Sequence, residues 1–401
     1  MKIDITTDEI LAEEIFSLGN IPLVNNLNNN FEESINCDRY LLSLVYFKKS
    51  ELIRLRHIVD PHILFDKYLY YSGISEPYKK HCGEMYDYLF EKNMINNGDL
   101  VVDIGGNDGT LLKEFRKKNN NIDLLNVEPS NIAEVSKKNE INTIKEYFGK
   151  KTCEKFLKKP KLFVTTNVFQ HLYDIKEFSE SIRDSMMLDT IWCLEFPYLI
   201  ETMKTLQFDQ IYHEHVYYYH FTPLYKLFNS IGLKVINVSE HEIHAGTMRL
   251  LITHKNSLHQ QDDTINFYLK EEEKYDYNEF LKWGKSVEKH TKECKIKLTK
   301  LMKESRVFGF GAAAKGCTFL NYLGINYKNI PYIIDDTPNK QNLFVPGTGI
   351  PIIERSFIKE DEPDYILILA HNFKEHIINS LRKYGYKNKF IVCFPKFEII
   401  E

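Results

Sequence analysis

An apolar run that ends in paired glycines constrains this chain more than any other feature. Leu100-Val101-Val102-Asp103-Ile104 leads into Gly105-Gly106-Asn107-Asp108-Gly109, and a helical pattern follows from Thr110 to Phe115. This is a strand–turn–helix unit. The next apolar run, IDLLNVEPS, ends in Glu128, about 25 residues after Asp103; KLFVTTNVF follows near 161–169 and TIWCLEFP near 190–197. Strands alternating with helical stretches predict an α/β fold: a doubly wound, Rossmann-like parallel sheet with helices on both faces.

The alternation stops and restarts. Residues 1–80 show short mixed runs, with NNLNNN at 25–30 reading as a loop. The spacing of Met85, Leu89 and Phe90 predicts an amphipathic helix over 82–95. Residues 262–305 are highly charged, nearly free of Gly and Pro, and periodic at helical spacing, which predicts a solvated helix or helix pair between domains. Then SRVFGFGAAAKGCTFLNYLG, NIPYIIDD, DYILILAH and KFIVCFP repeat the α/β pattern. The expected division is a small N-terminal domain (1–80), a central domain (81–260), a helical linker (261–305) and a second α/β domain (306–401). A chain of 401 residues has room for them.

Composition narrows the class. With 52 basic against 56 acidic residues, no broad basic surface for nucleic acid is implied. No apolar run approaches the roughly 20 residues of a membrane span, and MKIDITTDEI carries acids where a secretory signal has an apolar core. Seven scattered cysteines without a CxxC pair argue for reduced thiols, against a disulfide scaffold and against a zinc site. The expectation is a cytoplasmic, monomeric protein without nucleic-acid or membrane partners.

In a doubly wound sheet, ligands bind beyond the carboxyl ends of the strands, where a Gly-rich first turn lets backbone come close. Gly105-Gly106 make that turn, and Glu128 is placed to accept hydrogen bonds from ribose hydroxyls. The absence of GxGxxG spacing speaks against a dinucleotide. An acid at Asp103 is awkward beside phosphate but suits a cationic sulfonium ligand with an amino group. The plain alternative is a Gly-rich turn without a ligand. The second Gly-rich turn, Gly309–Gly316, lacks the ending of a P-loop, so nucleotide hydrolysis is not expected. Its backbone donors and Lys315 suit a phosphate or diphosphate of a substrate; a tight turn with Lys315 in solvent is the alternative.

Tyr212–His220 packs three histidines, a glutamate and four tyrosines into nine residues. Such a density of polar groups is expensive to bury unless it works. Carbon methylation needs a base to take a proton alpha to a carbonyl and a donor for the enolate oxygen. Histidine, an orienting carboxylate and tyrosine hydroxyls supply those parts. A metal reading has His213 and His215 on one face of a strand, without a third ligand nearby; a packed Tyr/His-rich hinge is the structural reading.

With these segments set out, the chain closely resembles the deoxysugar C-methyltransferases that act on 4-keto sugar nucleotides, over about residues 18–400. The markers are LGNIPL, VDPHILFDKYLYYSG, VDIGGNDGTLL, EPSNIAE, TNVFQH, EFP…FDQIYHEHVYYY, HAGTMR, FGFGAAAKGCTFLNY, DDTPNKQNLFVPGTGIPI and PDYILILAHN. The resemblance implies a small N-terminal domain with zinc on two CxxC pairs, a central class I methyltransferase domain binding S-adenosyl-L-methionine, and a C-terminal domain helping to bind the sugar nucleotide. It implies His215 as the base, Tyr212 and Glu214 as its helpers, and Tyr70 or Tyr71 facing the sugar. Cofactor contacts fall to Asp103, Gly105, Asn107, Asp108, Glu128, Phe148 and Asn167. Substrate contacts fall to His171, His213, His244, Arg249, Lys315, Asn321, Asp335, Lys340 and Asn372. The implied reaction is methyl transfer to C3, with C5 as the lesser alternative; sugar O- or N-methylation and a retired sugar-nucleotide binder are the other readings.

The chain departs from that pattern. Only seventeen residues precede LGNIPL, none of them cysteine, and the second pair would fall at Phe47 and Ser50. No metal is therefore expected, and packing, with Phe47 as one substitute, must replace it. His220 stands where serine is usual, His371 where tryptophan is usual and Asn342 where glycine is usual.

Overall fold

The computed structural model describes residues 12–65, 71–243 and 246–401, in three sheets. The first begins as an antiparallel meander: β1 (Ala12–Pro22), β2 (Arg39–Phe47) and β3 (Ile53–Leu55). Tyr217–Tyr218, far along the chain, adds its fourth strand. Phe47 is buried with the Arg54 guanidinium 4.9 Å from its ring centre, and Ser50 accepts the Leu52 N–H across the following turn. Where the resemblance would put two thiolates, a ring packed under a cation and a hydroxyl bracing the next turn stand instead.

The central sheet follows. Its strands are β4 (Leu100–Ile104), β5 (Asp123–Val127), β6 (Asn142–Ile144), β7 (Leu162–Thr166) and β8 (Ile191–Pro197); Tyr217–Tyr218 is β9 of the first sheet, and β10 (Leu233–His241) and β11 (Thr247–His254) complete the second. The order is β6-β5-β4-β7-β8-β11-β10, parallel from β6 to β8, with β11 antiparallel to both neighbours. Chain order reverses between β4 and β7, which is where ligands enter such sheets. This is a doubly wound, Rossmann-like arrangement with one antiparallel strand inserted near an edge. The preceding helix runs from Glu76, capped by the Ser75 hydroxyl, to Glu91, and so starts earlier than expected. It buries Tyr78, Cys82, Met85 and Leu89, but Phe90 is exposed and leans on Tyr86 instead of entering the core.

The charged stretch forms two helices, Thr264–Glu272 and Tyr277–Glu304. It is less solvated than expected: Phe280, Trp283, Val287, Cys294 and Leu298 are buried on one face of the second helix. Its Gly284 lies so close to β1 that a Cβ would sit 2.6 Å from the Ile15 carbonyl. Beyond it come β12 (Val307–Phe310), β13 (Ile333–Ile334), β14 (Phe344–Val345), β15 (Ile350–Ile353), β16 (Tyr365–Ile368), β17 (Lys389–Val392) and β18 (Glu398–Ile400), ordered β14-β15-β13-β12-β16-β17-β18. The pairings from β15 to β17 are parallel and both edge pairings are antiparallel. Asn342 has φ of 68°, a region where glycine is easiest, which accounts for the usual residue there.

The segment between β8 and β9 ties all three sheets together. Phe208 packs its ring against Phe16 of β1 and against Tyr322, Phe319 and Phe394 of the C-terminal domain. His220 opens the helix Phe221–Ser230 without capping it, whereas a serine there would cap. Buried Glu272 does so instead, accepting the N–H groups of Phe221 and Thr222 at 2.7 and 2.6 Å.

Candidate active site

The turn after β4 is shaped by what surrounds its glycines. Gly105 has φ of 70° and a Cβ there would come 2.5 Å from Val168; a Cβ on Gly106 would come 2.4 Å from Asp103 Oδ2 and 2.5 Å from Asn126 Oδ1. Glu128 at the end of β5 braces the turn, accepting the Asn107 N–H at 3.0 Å and the Ser130 N–H at 2.9 Å. Asp108 accepts the Thr110 N–H and hydroxyl through Oδ1 and the Gly73 N–H through Oδ2, while Asn107 Oδ1 accepts the Ser72 N–H. The Ser72–Gly73 backbone thus closes over the turn, with Tyr71 immediately before it. Asn167, at φ 54°, follows β7 and donates its N–H to the Glu195 carbonyl. Phe148 is half-buried, its ring 5.1 Å from Phe178.

Three carboxylates, Asp103, Asp108 and Glu128, converge on this turn. Asp103 is buried, its Oδ1 accepts no hydrogen bond, and burial followed by the charges of Glu128 and Asp108 pushes its acid up to about 8. Such a site repels phosphate and attracts a cation. The residues present therefore fit S-adenosylmethionine, whose sulfonium and ammonium groups are positive: Asp103 would hold the ammonium, Glu128 the ribose, and the glycines would allow close approach.

The second centre lies in the segment after β8. The shared strand face that the metal reading needs for His213 and His215 is not there, because residues 213–214 form a turn and the two rings take different partners. His213 donates Nε2–H to the Tyr40 carbonyl at 3.3 Å; its Nδ1 is buried without a partner, and burial pulls its acidity down to about 4. His215 donates Nδ1–H to the Gln210 carbonyl at 3.2 Å and accepts the Tyr212 hydroxyl on Nε2 at 2.7 Å. That pairing fixes the tautomer. Burial, then His171 and Lys315, keep His215 neutral, far below its ordinary value. His171 stands edge-on at 4.9 Å, anchored by Nδ1–H to the Glu214 carbonyl at 2.6 Å and held by burial at about 4. Glu214 is buried and pushed up to about 7; Asn25 donates to its Oε1 at 2.9 Å and its Oε2 has no partner.

The C-terminal domain contributes the third group. Lys315, at the start of the helix Ala314–Leu323, is half-buried as a residue, but its ammonium is shut off from solvent, makes no hydrogen bond and is lowered by burial. It acts electrostatically on His215 and on Asp209. Asp335 accepts the Ala312 N–H at 2.8 Å and the Thr337 N–H at 2.9 Å, and Lys340 donates to the Ala312 carbonyl at 2.9 Å, so both fasten the second Gly-rich turn. Asn321 donates to the carbonyls of Cys317 and Pro346 and holds that loop. Asn372 is half-buried in the turn His371–Phe373.

Arg249 lies elsewhere. Its guanidinium donates to Glu195 at 2.7 Å, and His81 meets the same carboxylate at 2.9 Å, all buried within the central domain. Burial raises the Glu195 acid, but Arg249 and His81 outweigh it and hold it at about 2. Tyr70 and His244 lie outside the described residues. Sequence reasoning missed Asp209, Gln210 and Asn25, and marked His371 only as a departure from the usual tryptophan. Asp209 and Gln210 directly precede the Tyr212–His220 cluster, whereas Asn25 sat in a stretch read only as a loop.

Comparison with known proteins matches both α/β domains. Residues 76–238 match a methyltransferase domain, and residues 242–395 match the C-methyltransferase C-terminal domain. The protein is an S-adenosylmethionine-dependent C-methyltransferase. It is 28% identical over 398 residues to C-methyltransferase NovU of Streptomyces niveus, covering 96% of this chain and 94% of that one. Solved structures are more distant. The mitomycin 7-O-methyltransferase MmcR matches at 13% identity and a TM-score of 0.37, over 45% of this chain and 55% of that chain. The magnesium protoporphyrin IX methyltransferase of Synechocystis PCC 6803 with bound SAH matches at 11% and 0.35, over 44% and 82%. Among the described residues no helix is long and apolar enough to cross a membrane.

Proposed function

We propose that the acceptor is a 4-keto-deoxysugar nucleotide and that methylation occurs at the carbon alpha to the ketone, C3 rather than C5. One observation carries the mechanism: a buried, neutral imidazole at His215, anchored through Nδ1, with its basic Nε2 held toward a tyrosine hydroxyl. S-adenosylmethionine, when bound at the first centre, supplies an electrophilic methyl group. The protein must supply a carbon nucleophile. His215 Nε2 takes the proton from the carbon next to the ketone, and the C–H electron pair moves into the enolate. The Tyr212 hydroxyl, displaced from Nε2 by substrate, donates to the enolate oxygen. Glu214, poised near neutrality with Oε2 uncommitted, can donate to a sugar oxygen. Burial excludes the water that would quench the enolate.

Deprotonation requires no methyl donor. The full chain, with S-adenosylhomocysteine and a 4-keto-6-deoxyhexose nucleotide in heavy water, should place deuterium at the carbon destined for methylation, and His215→Gln should stop it. Substrate recovered without deuterium, while methylation proceeds with the normal donor, would remove His215 from the base role.

A further inference from the structure

The seam between the central and C-terminal domains holds a cluster that the proton-transfer step does not use. Asp209 is fully buried in the short turn Phe208–Gln210, and neither carboxylate oxygen accepts a hydrogen bond. His371, opening the turn His371–Phe373 beyond β16, brings Nδ1 to 3.3 Å from Asp209 Oδ2, and its Nε2 has no partner. The Lys315 ammonium faces both groups through space. Buried polar atoms are normally satisfied. Here four atoms on three side chains from three separate segments remain unsatisfied together, beside the residue Gln210 whose carbonyl anchors His215.

The donor set identifies what would satisfy them. A diphosphate accepts hydrogen bonds and carries charge of the same sign as Asp209, so it gains from Lys315 and loses to the carboxylate. A hydroxyl both donates and accepts: it can give its proton to Asp209 and take one from Lys315 or His371. We infer that Asp209, Lys315 and His371 bind hydroxyl groups of the sugar ring and so select a keto sugar that retains a hydroxyl near the reacting carbon. This rests on the sugar-nucleotide reading above, and it moves Lys315 from the diphosphate, where the sequence put it, to the sugar. Asp335 and Lys340, tied to the second Gly-rich turn, remain outside the cluster.

Calorimetry on the full chain with S-adenosylhomocysteine present tests this, using thymidine and uridine diphosphates and their 4-keto-6-deoxyglucose conjugates. Asp209→Asn and His371→Gln should each weaken the accepted conjugate about tenfold or more, as one lost hydrogen bond to a charged group predicts. Affinity for the free diphosphate should stay within about twofold, because it lacks the sugar. Unchanged S-adenosylhomocysteine affinity reports an intact fold, and His371→Gln carries the test if Asp209→Asn does not fold. Equal weakening of conjugate and free diphosphate would overturn the inference and return the cluster to phosphate. No weakening of either would overturn it and leave the cluster a structural knot. A wild-type protein that binds diphosphates but neither conjugate would instead sink the sugar-nucleotide reading, and this inference with it.

Discussion

The cofactor turn and the domain seam bury comparable numbers of acids, yet they treat them in opposite ways. At the turn, Glu128 and Asp108 take backbone N–H groups from Asn107, Ser130, Gly73 and Thr110, and of the three acids Asp103 alone keeps an oxygen without a partner. At the seam, Glu214 leaves one oxygen and Asp209 both oxygens without a donor. Backbone donors fix a site whose ligand never varies. Side chains from distant segments make a site whose shape follows the acceptor.

The largest effect should come from the seam. His215→Gln keeps a side chain able to hydrogen-bond but unable to take the proton, so turnover should fall about 10²–10⁴-fold, with cofactor affinity unchanged. Rate assays and calorimetry on one preparation check both. A variant that also lost the cofactor would break the separation between the two regions.

The next effects belong to the turn. Gly106→Ala drives a Cβ into Asp103 and Asn126, and overpacking of about 1–3 kcal/mol should weaken S-adenosylhomocysteine roughly 5- to 150-fold. Glu128→Ala frees the N–H groups of Asn107 and Ser130 and removes the ribose acceptor, for about 1–3 kcal/mol, or roughly 5- to 150-fold. Unchanged affinity in the glutamate variant would take it out of the ribose site and leave it only as a brace.

The same contrast decides what could be read from the sequence. The Gly105-Gly106 turn and Asp103 are legible because one strand–turn–helix unit holds them, and Glu128 because it closes the very next strand. The alternation also located the second α/β domain, and the crowding at Tyr212–His220 pointed to chemistry. Three-dimensional assembly was not legible. Asn25 meets Glu214 across 189 positions, and Asp209 meets His371 only because two domains close on each other. The misplaced strand face of His213 and His215 has a similar origin: a local turn overrode an extended pattern, sending one ring to β2 and the other to Gln210. Arg249 shows the converse, since its motif was visible but its commitment to Glu195 and His81 was not.

The remaining effect is on stability against pH, and it shows whether Asp209 is protonated or ionised in the fold. In the folded protein burial favours the protonated acid, raised from 3.8 to about 7, although Lys315 opposes this. The unfolded chain releases that proton near 3.8, so Asp209 costs stability increasingly as pH rises from about 4 to 7, and the loss then levels off. His171 and His213 act in the other direction. Each is held neutral down to about 4 against an ordinary 6.5, so the stability they lose appears as pH falls through that window. Thermal melts of wild type and Asp209→Asn at pH 5 and pH 8 isolate the acid, because the histidines are common to both proteins. The asparagine variant should melt higher by a margin that grows from pH 5 to pH 8. A margin that stays constant would mean that Asp209 is already ionised in the fold, balanced by the Lys315 ammonium. The seam would then carry a matched charge pair before any substrate arrives, unlike the cofactor turn, where Asp103 stands unpaired beside two other carboxylates.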